Sequence, residues 1–280
     1  MDSAYYNGHY AETDKIRIPL SDRAVYFGDG IYDAAIGRAG EIYLEEEHLN
    51  RFFENAERLN LKTDVDRAAL SNILKTVAEN SGYARYFLYF QLTRNAHTRT
   101  HAYPSDARSN LLVTATELKS ATRGGVKLIT VPDLRHHLCN VKTLNLIPSV
   151  MASRRAAECG CDEAIFIRDG IVTECAHSNL LIVKEGAIYT HPTDNLILPG
   201  ITRARIEKIC KCLTIPFYEK RFGVEELYSA DEVIISSTSK FSVKATHIDG
   251  IKLAENGTYI SSRLRNELLL DFNGKSMLKF

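Results

Sequence analysis

The chain has 280 residues, of which 45% are hydrophobic and 25% charged, and 35 Lys and Arg residues balance 35 Asp and Glu residues to zero formal charge. This composition is that of a soluble globular protein with enough apolar residues for one large domain or two smaller ones. The absence of net charge argues against a general attraction to nucleic acid or anionic membranes and favours a small molecule as the partner.

The N-terminal residues lack a basic region followed by an apolar core, and no stretch approaches about eighteen uninterrupted apolar residues. We therefore expect a cytoplasmic protein. Its six cysteines include two C-x-C pairs, at 159 and 161 and at 210 and 212, which lack the C-x2-C spacing of zinc sites and redox motifs. No histidine pair stands at ligand spacing nearby, so we expect reduced thiols and no metal site.

The first part of the chain is predicted to form a small α/β domain over residues 1–118. Short apolar runs between Ile16 and Tyr43 are joined by glycine-containing turns, which indicates antiparallel sheet. Apolar residues then recur at three- and four-residue spacing over 49–59 and 70–77, which predicts two helices covering the sheet. Two strands and an interdomain linker are expected next, at 86–93, 111–116 and 119–125.

The remaining chain, 126–280, is predicted to form a larger mixed domain. Asp169-Gly170 and Glu185-Gly186 each separate two apolar runs, as two-residue hairpin turns do. A helix is expected over 202–213, with Thr202 as its cap. The other expected elements are strands at 126–131 and 233–235, helices near 150–159 and 261–271, and turns at Asp249-Gly250 and Asn256-Gly257.

The motif with the clearest chemical meaning is Asn140-Val141-Lys142-Thr143-Leu144-Asn145. Apolar residues beside Lys142 are expected to draw its ammonium group partly out of water, and a lysine in such surroundings can form a Schiff base. Taken alone, the pattern also fits a lysine that reaches the surface along its aliphatic stem. The rest of the chain must therefore decide between these two interpretations.

The run Lys142-Thr143-Leu144-Asn145-Leu146 resembles the cofactor-lysine motif of the fold-type IV (class IV) pyridoxal-phosphate aminotransferases, and further matches extend from Tyr26 to Ser239. The resemblance implies a two-domain α/β (α+β) architecture with mixed and antiparallel sheets and flanking helices. It also implies pyridoxal 5′-phosphate as the cofactor. Lys142, in the larger domain, would hold it as a Schiff base and shuttle the proton.

Glu174 is the residue that the resemblance assigns to the cofactor's ring nitrogen. Thr173-Glu174 followed by Ser178-Asn179 matches the family pattern T-E-x-x-x-S-N. A carboxylate is needed there because the cofactor accepts electrons best when its ring nitrogen stays protonated. Without the resemblance, a glutamate at a strand end would be interpreted as a surface charge.

Three further matches concern the cofactor's phosphate. Gly200-Ile201-Thr202 lies in a segment that resembles the family's L-x-G-I-T-R, where a beginning helix offers free N–H groups. Ser237-Thr238 resembles the second phosphate contact, and Arg51 matches the arginine of the pattern E-H-x-x-R. Taken alone, Gly200-Ile201-Thr202 also fits an ordinary helix start, and Arg51 a solvated helix residue.

Tyr32, Arg99 and His101 match the residues that bind the substrate carboxylate in the D-amino acid-specific members of the family. A guanidinium and an imidazole two residues apart in an extended loop point the same way and suit a carboxylate. In the family this loop reaches the neighbouring subunit's site, which implies a homodimer. Without the resemblance, the segment would be a flexible polar loop.

Some positions depart from the D-specific relatives. His177 stands in place of a serine, Ala176 replaces another small polar residue, and His136-His137 replaces a more aromatic and basic pair. Ala176 and His177 are therefore candidates for lining the pocket of the substrate side chain. His177 would add a titration near neutral pH if it faces the cofactor.

The function implied by the resemblance is transamination between D-amino acids and 2-oxo acids, of the D-alanine and D-glutamate type, by a ping-pong mechanism. Three alternatives stay open. A lyase similar to aminodeoxychorismate lyase would use the same Lys142 and Glu174, and an L-branched-chain aminotransferase would lack the Arg99 and His101 pair. A binding module without enzymatic activity is the third.

Overall fold

The computed structural model describes residues 2–119, 124–254 and 259–278. The chain divides into a first unit, Met1–Ser120 with Val141–Asn145, and a second unit, Ala121–Asn140 with Leu146–Phe280. Lys142 thus groups with the first unit, whereas the sequence-based division assigned it to the second domain. Most of the predicted linker, at 120–123, and the predicted Asn256-Gly257 turn lie outside the described residues. The predicted domain limits therefore stay a prediction.

The first unit is built on an antiparallel sheet with the strand order β2-β1-β6-β5-β3-β4 in its described residues. Its strands are β1 (Ser3–Tyr6), β2 (His9–Glu12), β3 (Gly30–Arg38), β4 (Glu41–Ile42), β5 (Arg85–Thr93) and β6 (Asn110–Glu117). Its helices are α1 (Arg23–Phe27), α2 (Glu45–Arg58) and α3 (Arg67–Ser81), and a 3-10 turn spans Thr13–Lys15.

The predicted helices over 49–59 and 70–77 are confirmed as α2 and α3. The side chain of Asp66 accepts a hydrogen bond from the Ala69 amide at 2.8 Å and begins α3. The apolar faces of both helices enter one core with the inner face of the sheet, where the ring centroids of Phe52 and Phe90 lie 5.0 Å apart. Burial of this face, rather than helix propensity alone, stabilises the two helices.

The prediction of strands throughout 16–43 is wrong in part, because α1 lies within that segment. A helix of five residues is too short to show apolar periodicity, although Asp22 caps it and Gly28, at φ 60°, ends it. The β1–β2 hairpin was not predicted. Its turn, Asn7-Gly8, has positive φ at both residues, and the Asn-Gly dipeptide was the available signal.

The second unit contains a mixed sheet with the order β12-β11-β10-β13-β14-β7-β8-β9 in the described part of the chain, and β15 pairs with β14. Its strands are β7 (Val126–Pro132), β8 (Glu163–Arg168), β9 (Ile171–Cys175), β10 (Asn179–Lys184), β11 (Ala187–Thr190), β12 (Phe217–Glu219), β13 (Glu232–Ser237), β14 (Phe241–Ile248) and β15 (Ile251–Lys252). Its helices are α4 (Ile147–Glu158), α5 (Ile201–Cys212), α6 (Val224–Tyr228) and α7 (Ile260–Phe272). Strand pairs β7–β8, β7–β14 and β11–β12 are parallel.

The two predicted hairpin turns are confirmed. Asp169-Gly170 has φ values of 51° and 77°, and Glu185-Gly186 has φ values of 51° and 76°. Positive φ at both central residues is the conformation of the two-residue turns that match the twist of a hairpin. The predicted cap of α5 is wrong. The helix begins at Ile201 with Gly200 as the capping position, so Thr202 already lies inside its first turn.

Candidate active site

Lys142 lies in a short extended segment that pairs with the beginning of β3. Thr143 forms an antiparallel bridge with Ile31, and the Tyr32 amide donates to the Lys142 carbonyl at 3.0 Å. The side chains of Val141 and Thr143 are buried. Because successive side chains of an extended segment point to opposite sides, that of Lys142 points away from these two. There its Nζ lies 4.1 Å from the centroid of the Tyr32 ring. The lysine is therefore half-buried and held over an aromatic face.

Tyr32 is itself held by a second ring. Its centroid lies 5.4 Å from that of Tyr89, with an angle of 26° between the planes. The Tyr89 hydroxyl donates to Oε1 of Gln91 at 2.6 Å. The pKa of Tyr89 is raised, mainly by burial and to a smaller extent by the neighbouring Tyr32. The phenol therefore stays neutral. The stacked Tyr32 and Tyr89 rings therefore form a fixed surface against which Lys142 lies.

Arg51 of α2 is bound by the buried carboxylate of Asp33 on β3. Its Nε and Nη2 donate to Oδ2 and Oδ1 of Asp33, both at 2.8 Å, and Nδ1 of His48 lies 2.8 Å from the same Oδ1. Burial acts to raise the pKa of Asp33, but Arg51 and His48 together hold it well below its usual range. Arg51 is therefore oriented by a fixed charge and is not a solvated helix arginine.

Replacing Asp33 with asparagine should lower the free energy of unfolding by about 3–5 kcal/mol, because it leaves the buried Arg51 without its counter-charge. The pKa of Asp33 is lowered on folding, so its charge stabilises the wild-type protein above the unfolded pKa of about 3.9 and progressively less below it. Urea unfolding at neutral pH and at several values below about pH 5 should show a steeper acid loss in the wild type.

The matched control is Asp64→Asn, because Asp64 pairs with Arg108 at 2.7 Å but is 73% exposed. It should change stability by less than about 1 kcal/mol. If the free energy of unfolding fell equally steeply with decreasing pH in the wild type and in Asp33→Asn, another group would be responsible for the pH dependence.

Arg99 and His101 are exposed on the loop that follows β5, and both lie near Phe27 of α1. The guanidinium carbon of Arg99 lies 5.4 Å from the centroid of the Phe27 ring, and the His101 ring centroid lies 5.3 Å from it. Arg99 also lies 6.0 Å from the Tyr26 ring. Two exposed hydrogen-bond donors, one of them always charged, thus pack against the same ring, and both groups are suited to binding an anion.

Glu174 lies at the end of β9 and is buried, so the interpretation as a surface charge does not hold. Its Oε1 accepts from Nη1 of Arg135, its Oε2 accepts from Nδ2 of Asn179 at 2.9 Å, and the Leu198 amide lies 3.2 Å from both oxygens. A guanidinium and two N–H donors favour the ionised carboxylate. These donors therefore stabilise a negative charge on the buried side chain.

Arg135 was not among the predicted site residues. Its Nε and Nη2 donate to Oδ1 and Oδ2 of Asp133, both at 2.9 Å, and Arg168 reaches the same carboxylate. Against the effect of burial, hydrogen bonds and charge from Arg135 and Arg168 lower the pKa of Asp133 to about 2. Opposite charges two residues apart, at Asp133 and Arg135, were the available signal, because such residues share a face in an extended chain.

Asn179 connects the Glu174 carboxylate to the beginning of α5. Its Nδ2 donates to Glu174 and also to the Leu198 carbonyl at 2.9 Å. Gly200 packs so closely that a Cβ placed there would lie 1.8 Å from Oδ1 of Asn179. The helix that follows has no side-chain cap, and its first residues, Ile201 and Thr202, are buried. Uncapped N–H groups of a first turn are suited to an anion such as phosphate.

Ser237 and Thr238 lie where β13 ends, and both are partly buried. The preceding residue, Ser236, pairs with Asn179 across the β10–β13 ladder. Two of the three predicted phosphate contacts, the α5 start and the Ser237-Thr238 turn, therefore both lie next to Asn179 within the second unit.

The family resemblance implies a cofactor phosphate at the start of α5, and Gly200→Ala should weaken its retention by about tenfold or more, because Asn179 cannot move aside without losing its bonds to Glu174 and Leu198. The fraction of cofactor that stays bound after dialysis against phosphate buffer would measure this. Gly186→Ala is not a suitable control because Gly186 has φ 76°. Gly223→Ala is suitable, since a Cβ there would meet only the Gly170 carbonyl, at 3.4 Å. Equal retention by both variants would contradict the expected clash.

The two candidate pocket residues differ in their surroundings. Ala176 is buried and packs in a small apolar cluster with Phe166. His177 is 49% exposed, and its Nδ1 lies 3.1 Å from Oε1 of the fully buried Glu163. The other Glu163 oxygen accepts from the Ser178 hydroxyl at 3.0 Å and lies 3.3 Å from Nζ of Lys240. His177 is thus oriented by a buried carboxylate that the sequence analysis did not single out.

The structure therefore assembles the predicted residues within each unit. In the first unit, Lys142 and Tyr32 are in contact, and Arg99 and His101 share Phe27. In the second unit, hydrogen bonds and strand pairing link Glu174 to the start of α5 and to the end of β13 through Asn179.

Over the described ranges, no group of three or more His, Cys, Asp or Glu residues is arranged to hold a metal ion. None of the six cysteines forms a disulfide, and Cys175 and Cys210 are buried. No helix in the described part of the chain has the length and apolar character needed to cross a membrane.

The first unit carries a half-buried lysine, and the second carries a buried glutamate and a helix start without a side-chain cap. The amino-transferase class IV family matches residues 30–248, and the chain belongs to this family. It is an aminotransferase, and family membership implies pyridoxal 5′-phosphate. The predicted family and fold class are confirmed.

Several individual proteins are similar to this chain. The D-alanine aminotransferase of Staphylococcus epidermidis is 38% identical over 256 residues, which cover 89% of this chain and 90% of the relative. That of Bacillus licheniformis is 34% identical over 248 residues, covering 88% of each.

Solved structures confirm the fold. The branched-chain aminotransferase of Thermoproteus uzoniensis superposes with a TM-score of 0.91 at 22% identity, covering 98% of this chain and 96% of that one. The branched-chain aminotransferase of Escherichia coli gives a TM-score of 0.90 at 21% identity, covering 100% and 97%.

Proposed function

We propose that the protein transfers amino groups between D-amino acids and 2-oxo acids, of the D-alanine and D-glutamate type. The observation that carries this proposal is that Arg99 and His101, an exposed R-x-H pair, both pack against the Phe27 ring. The similarity to D-alanine aminotransferases at 34% to 38% identity over most of the chain supports the same substrate class.

The residues present fit pyridoxal 5′-phosphate as the cofactor. The uncapped start of α5, with Ile201 and Thr202, would hold the phosphate together with Ser237, Thr238 and Arg51. The buried, ionised Glu174 would hold the proton on the ring nitrogen, and Lys142 would be the residue that binds the cofactor covalently. When bound, the cofactor supplies an electron sink for the bonds at the substrate's α-carbon.

The chain's own residues perform the remaining steps. Lys142 Nζ moves the proton to and from the α-carbon, and the Tyr32 ring beneath it restricts where that amine can go. Arg135, Asn179 and the Leu198 amide favour the ionised form of Glu174. The two substrates use the same carboxylate-binding residues, so the product of the first must leave before the second can bind. The kinetics should therefore be ping-pong.

We further propose that the working form is a homodimer in which Arg99 and His101 complete the neighbouring site, next to that subunit's Tyr32. A run of exposed apolar side chains at the start of α4 supports such an assembly, with Ile147 69%, Val150 59% and Met151 63% exposed. We expect the enzyme in the cytoplasm, where thiols that form no disulfides are usual.

The proposal is tested by steady-state rates with D-alanine, L-alanine or L-leucine as donor and 2-oxoglutarate as acceptor, and with D-glutamate as donor and pyruvate as acceptor. The D-amino acids should react faster by at least about a hundredfold, because the wrong enantiomer leaves either the carboxylate or the α-hydrogen misplaced. If L-leucine were the best donor, a branched-chain aminotransferase would replace this proposal. If no donor transferred its amino group, the lyase would replace this proposal.

Arg99→Leu should raise the KM for D-alanine by about tenfold to a hundredfold, because a charge-assisted bond to the carboxylate is lost. The absorbance of the bound cofactor should stay as in the wild type. Arg108→Leu is the matched control, since Arg108 lies nearby on the chain and is 61% exposed. An unchanged KM in Arg99→Leu would remove Arg99 from the carboxylate site.

A further inference from the structure

Arg23, the first residue of α1, is buried and holds the backbone of the loop that carries Arg99 and His101. Its Nη1 donates to the Thr100 carbonyl at 2.6 Å and its Nη2 to the His101 carbonyl at 3.1 Å. Its Nε donates to Oδ2 of Asp29 at 2.8 Å. Each guanidinium nitrogen therefore has a partner, and two of the three partners are successive peptide groups of this loop.

Asp29 fixes Arg23 and connects it to the rest of the first unit. The same carboxylate accepts from Nε of Arg94, with both oxygens at 3.0 Å. Arg94 in turn donates to the carbonyls of Asn60 and Leu59 beyond α2, and its guanidinium carbon lies 3.8 Å from the Tyr103 ring. Arg23, Asp29 and Arg94 thus form a largely buried network in which each charged group is hydrogen-bonded.

We propose that Arg23 is a positioning residue for substrate binding, which fixes the Thr100 and His101 peptides so that the Arg99 and His101 side chains converge on one carboxylate. The inference rests on the proposed function. The guanidinium carbon of Arg23 also lies 4.7 Å from the centroid of the Phe27 ring, and Arg99 and His101 lie near the same ring. Arg23 therefore contacts both the backbone of the loop and the ring against which its side chains pack. Two fixed peptides remove the conformational freedom that substrate binding would otherwise have to remove.

Lysine cannot replace this function, because its single ammonium cannot reproduce three donors in a planar fork. Arg23→Lys should raise the KM for D-alanine by about tenfold or more, with kcat changed by less than about threefold. The inhibition constant of propionate, which shares only the carboxylate with the substrate, should rise by a similar factor. The cofactor absorbance should be that of the wild type.

Arg67→Lys is the matched control. Arg67 belongs to the same unit, lies 5.2 Å over the Phe53 ring and donates to Asn50, and neither of these partners belongs to the loop. It should leave both KM and the propionate constant unchanged. Should Arg23→Lys fold poorly, Asp29→Asn loosens the same guanidinium while keeping the side-chain shape, and it should shift KM in the same direction by a smaller factor.

A KM and a propionate constant equal to those of the wild type, in a variant whose melting temperature has fallen, would overturn the inference and leave Arg23 with a purely structural role. That outcome leaves the proposed function intact, because the wild-type enzyme would still convert D-alanine. If the wild-type enzyme did not convert D-alanine at all, the proposed function and this inference would both be overturned.

Discussion

Lys142→Ala should abolish multiple turnover and remove the visible absorbance of the bound cofactor. The substitution deletes both the amine that would bind the cofactor and the base that would move the α-proton. Loss of general acid–base catalysis alone is worth about a hundredfold to ten-thousandfold in rate, and loss of the covalent attachment adds to it. Spectra of the purified variant after incubation with cofactor, together with the D-alanine assay, measure both losses.

Lys75→Ala is the control for Lys142→Ala, because Lys75 lies in the same unit but is 40% exposed and pairs with Glu45 at 3.1 Å. It should retain wild-type absorbance and rate. Borohydride reduction followed by peptide mapping gives a further check. Cofactor attached to another lysine in the Lys142→Ala variant would contradict the assignment.

Glu174→Gln should lower kcat by about ten- to a hundredfold, which corresponds to the loss of one charge-assisted hydrogen bond worth about 1.5–3 kcal/mol. A glutamine keeps the shape of the side chain but removes the charge beside the cofactor's ring nitrogen. It also places an amide beside Arg135, which then lacks this counter-charge. Cofactor retention should change much less, because the proposed phosphate contacts are untouched.

For Glu174→Gln the comparison is Glu158→Gln, an exposed residue of α4 that pairs with Arg154 at 2.9 Å. Its rate should equal that of the wild type. If both variants were equally active, the protonation of the ring nitrogen would have to be controlled by a different group.

The site predictions made from the sequence rest on residues that are close together in the chain. The segment around Lys142, the run from Thr173 to Asn179 and the start of α5 are contiguous motifs, and their family and fold are confirmed. Both two-residue turns were also predictable, because the positive φ values that they require are encoded by a glycine at a fixed position.

The supporting residues could not be predicted in this way, because their partners are far away in the chain. Arg23 and Thr100 are 77 residues apart, as are Glu163 and Lys240, and Arg135 is 39 residues from Glu174. No periodicity or spacing rule connects such positions. Buried charge networks of this kind emerge only when the sheet register has been fixed.

Short elements escaped prediction for a different reason. The five residues of α1 complete little more than one helical turn, so they show no repeating apolar face. Its ends are nevertheless encoded by the Asp22 cap and by Gly28 in the left-handed conformation. This small helix supplies both Arg23 and Phe27, and it is therefore essential to the proposed carboxylate site.

The most direct test is a single half-reaction followed by absorbance. The purified enzyme with its cofactor is mixed with D-alanine, and separately with L-alanine, in the absence of any 2-oxo acid. We expect D-alanine to convert the visible cofactor band completely, with one equivalent of pyruvate formed per site, and L-alanine to leave the band essentially unchanged over the same time. Faster conversion by L-alanine, or by L-leucine, would contradict the assignment of a D-amino acid aminotransferase.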